Sequence, residues 1–220
     1  MISGAIFDMD GLMFDTEPIW VRSWEVSFSR QGLPMRRGFV ESVIGTTPSR
    51  VRKLIDEAYG GDPRAQAAAE DHFDVAISEM LEHGAKKKPG LDELLSSLDE
   101  RDIPMAVASS SCRELVESLL GSGGVRGYFR VVVAGDDGLP SKPAPDIFLA
   151  ASDCLKTSPD RTLVLEDSPN GIRAASAGGF ISVMVPDMVQ PDNEMTSLAT
   201  VVCHDLFEVR GLLRDGRLGR

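Results

Sequence analysis

At 220 residues, with 42% hydrophobic and 26% charged side chains, the chain has an ordinary globular composition and room for one large domain or a core with a smaller insert. Its formal charge of −11 argues against nucleic acid or an anionic membrane as partner, and leaves a small anionic ligand in need of a lysine, helix N-termini or a metal. No apolar run approaches the roughly 18 residues that span a bilayer and the N-terminus carries no signal-peptide pattern, so a cytoplasmic protein is expected.

In chain order, residues 4–7 form a short apolar run stopped by Asp8-Met9-Asp10-Gly11. This predicts a buried strand with two carboxylates at its carboxyl end, the edge where open α/β sheets bind ligands. Successive strand side chains point to opposite faces, so Asp8 and Asp10 converge only if the chain leaves the strand at Met9, a bend that Gly11 permits. Taken alone, the same tripeptide also fits a surface turn. Thr16-Glu17-Pro18 predicts a helix start, a hydroxyl cap followed by proline, and Ile19, Trp20, Trp24 and Phe28 continue it over 19–30 at helical spacing. Helices over 48–59, capped by Thr47, and 63–82 follow with no strand between them. Residues 15–88 therefore read as an inserted α-helical domain.

Beyond Pro89 the pattern alternates. Helices are expected at 91–101, 112–120, 145–154, 170–177 and 206–214, and strands at 103–108, 131–134, 162–165, 180–185 and 200–203. This predicts an α/β fold, a Rossmann-like doubly wound parallel sheet made from residues 1–14 and 89–220, with the insert over the strand ends as a cap. Gly121-Ser122-Gly123-Gly124 follows a helix and reads as its C-cap and turn. Lys86-Lys87-Lys88 reads as a solvated linker that could also draw an anion to the hinge. Cys112, Cys154 and Cys203 show no Cys-x-x-Cys spacing and are expected as free thiols, and His72, His83 and His204 as exposed side chains.

Three more expected strand ends carry polar groups. Ser109-Ser110-Ser111 leads into a helix, which suits either a plain cap or an anion site of hydroxyl and backbone N–H groups. Lys142 sits in Ser141-Lys142-Pro143-Ala144-Pro145-Asp146, where prolines stiffen the backbone around a lysine able to neutralise a phosphoryl oxygen. Leu165-Glu166-Asp167-Ser168 ends an apolar run in two acids, oxygen ligands of the kind Mg2+ takes.

With Phe7-Asp8-Met9-Asp10-Gly11, these segments make the chain resemble, over nearly its whole length, the haloacid dehalogenase superfamily, in its phosphatase branch with a small helical cap, to which the β-phosphoglucomutases also belong. The resemblance implies Asp8 as the nucleophile that forms an aspartyl-phosphate, and Asp10 as the acid and base that serves the leaving group and then the water. It implies Mg2+ held by Asp8, the backbone carbonyl of Asp10 and Asp167, with Glu166 acting through water. Ser109, the Ser110 N–H and Lys142 would bind the phosphoryl group. The second acid, Asp10, separates the chain from the superfamily's dehalogenases, whose chloride leaving group needs no proton.

The mutases of this branch carry a cap arginine soon after a glycine; here Gly45-Thr46-Thr47-Pro48-Ser49-Arg50 has proline there, with Arg50 or Arg52 as possible substitutes. Their histidine after the Asp-Thr pair stands here as Trp20. Glu17, Trp20 and Gly45 are the cap's candidate substrate contacts, although Glu17 also fits a helix-capping role and Trp20 and Trp24 also fit the cap's own core. The expected protein is a Mg2+-dependent phosphatase of a small phosphorylated metabolite, a sugar phosphate, and a monomer or weak homo-oligomer. The alternatives are a hexose-phosphate mutase, a phosphonatase using Lys53, and a regulatory module without catalysis.

Overall fold

The computed structural model describes residues 2–43 and 48–218. In chain order, β1 (Gly4–Phe7) and β2 (Phe14–Asp15) precede four helices, α1 (Glu17–Arg30), α2 (Phe39–Val43), α3 (Pro48–Tyr59) and α4 (Pro63–His83). The chain returns through β3 (Lys86–Lys87) to α5 (Leu91–Asp99), β4 (Met105–Ala108), α6 (Arg113–Ser122), β5 (Phe129–Val133) and α7 (Asp146–Leu155). It ends with β6 (Thr162–Glu166), α8 (Pro169–Ala177), β7 (Ile181–Met184), α9 (Asn193–Leu198), β8 (Val201–Val202) and α10 (Leu206–Arg214). Two compact units result, Met1–Asp15 with Ala85–Arg220, and Thr16–Gly84.

The first unit is built on a six-stranded sheet in the order β5-β4-β1-β6-β7-β8, each adjacent pair parallel. Every residue of β1, β4 and β6 is buried, as expected for strands covered on both faces, which explains their unbroken apolar runs. Ile6, Ala106, Val133, Phe148, Val164 and Ala175 meet in one core cluster. Register sets Phe7 beside Val107 and Leu165, so β1, β4 and β6 end level and deliver Asp8, Ser109 and Glu166 to one edge. The parallel sheet anticipated from the alternation is therefore present. The edge strand β5 starts at Phe129 rather than 131, since Phe129 already pairs with Met105, and its ring packs edge-on to Phe7, 5.7 Å between centroids. The short α9 was not foreseen; Asp192 starts it by accepting a hydrogen bond from the Met195 N–H.

The lysine run is more than a linker. Lys86 and Lys87 form an antiparallel ribbon with Asp15 and Phe14, Lys87 pairs with Asp92 at 2.6 Å, and Lys88 pairs with Asp187 at 2.7 Å. Gly121 to Gly124 does close α6, with Gly124 at φ +70°, where glycine has no steric penalty.

In the second unit, α2 is a helix that the sequence pattern had not indicated. Thr16 stands at the N-cap position of α1, but it is in a helical conformation and its buried hydroxyl finds no hydrogen-bond partner among the described residues, so the expected cap bond is not made. Thr47, expected to cap α3, lies outside the described residues. Trp24 is buried among Phe28, Phe39 and the ring of His72, on which it stacks at 3.7 Å. The expectation of an exposed His72 is thus corrected: its helix turns it inward, and its Nδ1 lies 2.6 Å from the Ala69 carbonyl. Burial holds the His72 pKa below its ordinary value of 6.5. The neutral ring therefore contributes stability that is full above about pH 6.5 and is lost as the pH falls through its lower native value. His72→Phe should flatten the fall in melting temperature between pH 7 and 5; a profile parallel to wild type would contradict this. No described helix is long and apolar enough to cross a membrane.

Candidate active site

The carboxyl edge of the central strands gathers most of the residues singled out above. After β1 the chain turns at once: the Met13 and Phe14 N–H groups both donate to the Met9 carbonyl, and the Gly11 N–H donates to Phe14 O. Gly11 has φ +74°, and a Cβ there would lie 2.4 Å from Asp167 Oδ2. Only glycine lets the β1 loop approach the acids after β6 so closely.

Lys142, almost fully buried, reaches into this edge from the loop before α7. Its Nζ lies 2.5 Å from Asp8 Oδ1 and 2.7 Å from Glu166 Oε1, donates to the Ala108 carbonyl at 3.2 Å, and sits 4.7 Å from the centre of the Phe148 ring. Glu166 is fully engaged, since its Oε2 accepts from the Ser168 N–H at 2.8 Å and the Ser168 hydroxyl at 2.9 Å. Ser168 also caps α8 by accepting from the Gly171 N–H. Gly171 is a residue that sequence reasoning passed over. A Cβ there would fall 1.8 Å from the Glu166 carboxylate, so Gly171→Ala must push Glu166 off Lys142. We expect that substitution to cost about 1–3 kcal/mol in thermal or urea unfolding; unchanged stability would mean that Glu166 is not wedged as described.

Asp8, Glu166 and Asp167 each offer an oxygen within 4.8 Å of the others. Burial pushes the Asp8 carboxyl up to about 7 even though Lys142 pulls it down. Burial also raises Asp167, helped by its acidic neighbours Glu166 and Asp8. Burial works against the Lys142 ammonium, but Asp8 and Glu166 outweigh it and hold its pKa above the ordinary lysine value. Three carboxylates against one ammonium are thus held together at a cost that a divalent cation would relieve. The all-oxygen donor set fits a hard cation such as Mg2+.

The serine loop after β4 completes the edge. Ser109 is buried, and its Oγ accepts from the Ser111 N–H at 3.0 Å. Ser111 donates its hydroxyl to Asp10 Oδ2 at 2.7 Å, with Ser109 Oγ farther away at 3.4 Å. Ser111 was not anticipated, although as the third of three serines it was visible. Ser110 is exposed, and its carbonyl lies so close to Gly135 that a Cβ on that glycine would sit 2.0 Å away. The first N–H of α6 is not open to an anion, because Arg113 N donates to Asp136 at 2.9 Å while the Arg113 guanidinium pairs with Asp137 at 2.7 Å.

The candidate cap residues belong to the other unit. Glu17 opens α1; Trp20, half-buried, meets Phe73 edge-on at 5.6 Å and His72 at 6.2 Å. Gly45 lies outside the described residues.

The model of the family described as haloacid dehalogenase-like hydrolases matches residues 5–185. Fructose-1-phosphate phosphatase YqaB of Escherichia coli is 34% identical over 183 residues, covering 83% of this chain and 96% of that protein. A Drosophila melanogaster protein named probable pseudouridine-5′-phosphatase is 32% identical over 217 residues, covering 95% of this chain and 92% of the relative. Among solved structures, that of CbbY from Rhodobacter sphaeroides in complex with phosphate superimposes with a TM-score of 0.74 at 27% identity, covering 95% of this chain and 96% of that one.

Proposed function

This chain belongs to the haloacid dehalogenase-like hydrolase family, and from that premise we propose that it is a Mg2+-dependent phosphatase of a small phosphorylated metabolite, most simply a sugar phosphate. The observation that carries the proposal is the buried Lys142 bridging Asp8 and Glu166, beside Asp167 and the serine-held Asp10. Both sequence relatives described above are named phosphatases, one of them for a hexose phosphate.

In this reading an oxygen of Asp8 attacks phosphorus; the new P–O bond forms as the ester P–O bond breaks, and Asp10 passes its proton to the departing oxygen. A water then attacks the aspartyl-phosphate, Asp10 takes that water's proton, and phosphate leaves as Asp8 regains its carboxylate. Ser111 holds the Asp10 carboxylate in place through both steps. Lys142 fixes Asp8 in the ground state with its three N–H groups engaged by Asp8, Glu166 and the Ala108 carbonyl, and its positive charge beside Asp8 would stabilise charge growing on the phosphoryl oxygens. Glu166, buttressed by Ser168, keeps Lys142 from swinging away. Mg2+, held by Asp8, Asp167 and the Asp10 carbonyl with Glu166 in support, would neutralise phosphoryl charge when bound.

The test is phosphate release from a panel of sugar phosphates and nucleoside monophosphates, with Mg2+ and with EDTA, including glucose 1-phosphate with and without glucose 1,6-bisphosphate. The proposal predicts release from a narrow set that stops in EDTA. Bisphosphate-stimulated conversion to glucose 6-phosphate without release would establish a mutase instead.

A further inference from the structure

Asp187, three residues beyond the end of β7, has no part in the chemistry so far. Lys88 holds its Oδ1 at 2.7 Å, while its Oδ2 is shut from solvent and has no hydrogen-bond partner among the described residues. That second oxygen points at the active-site loop: it lies 3.3 Å from where a Gly11 Cβ would be, the same spot that Asp167 Oδ2 approaches to 2.4 Å. Two carboxylate oxygens thus face one patch of backbone. A buried carboxylate oxygen without a donor is costly, and more so beside a second carboxylate. The missing partner is therefore a donor on the cation side. Lys88 is itself fixed, because its backbone N–H donates to Met13 O at 2.8 Å, in the same turn that carries Asp8, Asp10 and Gly11.

Resting on the cation site of the proposed function, we propose that Asp187, pinned by Lys88, is a positioning residue for the divalent cation, its inward oxygen accepting a hydrogen bond from a water in the cation's shell. Outer partners of this kind orient a metal's ligands, and their loss costs roughly 10- to 100-fold in affinity. The pin also separates position from charge. Removing Lys88 deletes a positive charge near the site, which by relief of Coulomb repulsion alone would tighten cation binding.

The test is Mn2+ binding to EDTA-stripped protein without substrate, read from the electron paramagnetic resonance signal of free Mn2+, with melting in EDTA to confirm that each variant folds. Asp187→Asn should weaken binding roughly tenfold, Lys88→Met should weaken it by a similar factor, and Lys88→Arg should stay near wild type. Tighter or unchanged binding in Lys88→Met, or unchanged binding in Asp187→Asn, would overturn the role given to Asp187 while leaving the cation site standing. Absence of Mn2+ binding by the wild-type protein would overturn both. If Asp187→Asn does not fold, the opposite signs expected for Lys88→Met still decide.

Discussion

Asp8→Asn should lower turnover by roughly 10⁴-fold or more, the scale of losing a nucleophile, yet leave a protein that is at least as stable as wild type in EDTA. The two effects have one cause. Asp8 is buried against Glu166, Asp167 and Asp10, and its carboxyl is pushed up to about 7. A carboxyl whose native pKa exceeds its unfolded value contributes stability that is full below about pH 4 and is lost as the pH rises through about 7. Asparagine has the same shape and no charge to lose, so the melting temperatures of mutant and wild type should agree near pH 4 and separate above pH 7, the mutant melting higher. Phosphate release and melting scans on one preparation check both. Near-normal activity would remove Asp8 from the nucleophile's role, and a less stable mutant at pH 8 would contradict the buried-charge reading.

Lys142→Ala carries the second large effect, with the opposite sign on stability. The ammonium is the one cation in contact with Asp8 and Glu166 among the described residues, and both contacts are nearly dry. Its loss leaves two carboxylates facing each other, and breaking such a buried pair costs about 3–5 kcal/mol. It also removes the positive charge beside the attacked phosphoryl group, a loss on the scale of about 10²- to 10³-fold in turnover. Urea unfolding in EDTA and kcat/KM on the substrate found in the panel measure the two losses. An intact kcat/KM would show that the phosphoryl group is bound elsewhere.

The parallel sheet was legible because its strands are buried on both faces and so appear as apolar runs, and because each run ends in a polar cluster. The helices of the insert were legible where long, as in α1 and α4, and missed where a five-residue helix, α2, had no periodicity to display. Asp8, Asp10, Ser109, Glu166 and Asp167 could be named because they lie at or just past strand ends, and Lys142 because prolines hold it in the loop that leads into α7. What remained hidden depends on distances between segments remote in sequence. Nothing local says that Gly171 must make room for Glu166, that Gly135 lies against Ser110, or that Lys88 in an apparent linker is tied to Asp187, 99 residues away. His72 was misjudged because it sits between the polar Asp71 and the exposed Phe73, and α4 shows its inward face only once α1 packs against it.

The most direct test of the proposed chemistry is to quench the enzyme with acid during turnover of a substrate carrying a radiolabelled phosphoryl group and to map the label by peptide analysis. The predicted result is an acid-stable, hydroxylamine-labile label on the peptide containing Asp8, formed with Mg2+ and absent in EDTA. Turnover with no trapped label, or label on any other residue, would contradict the aspartyl-phosphate on Asp8.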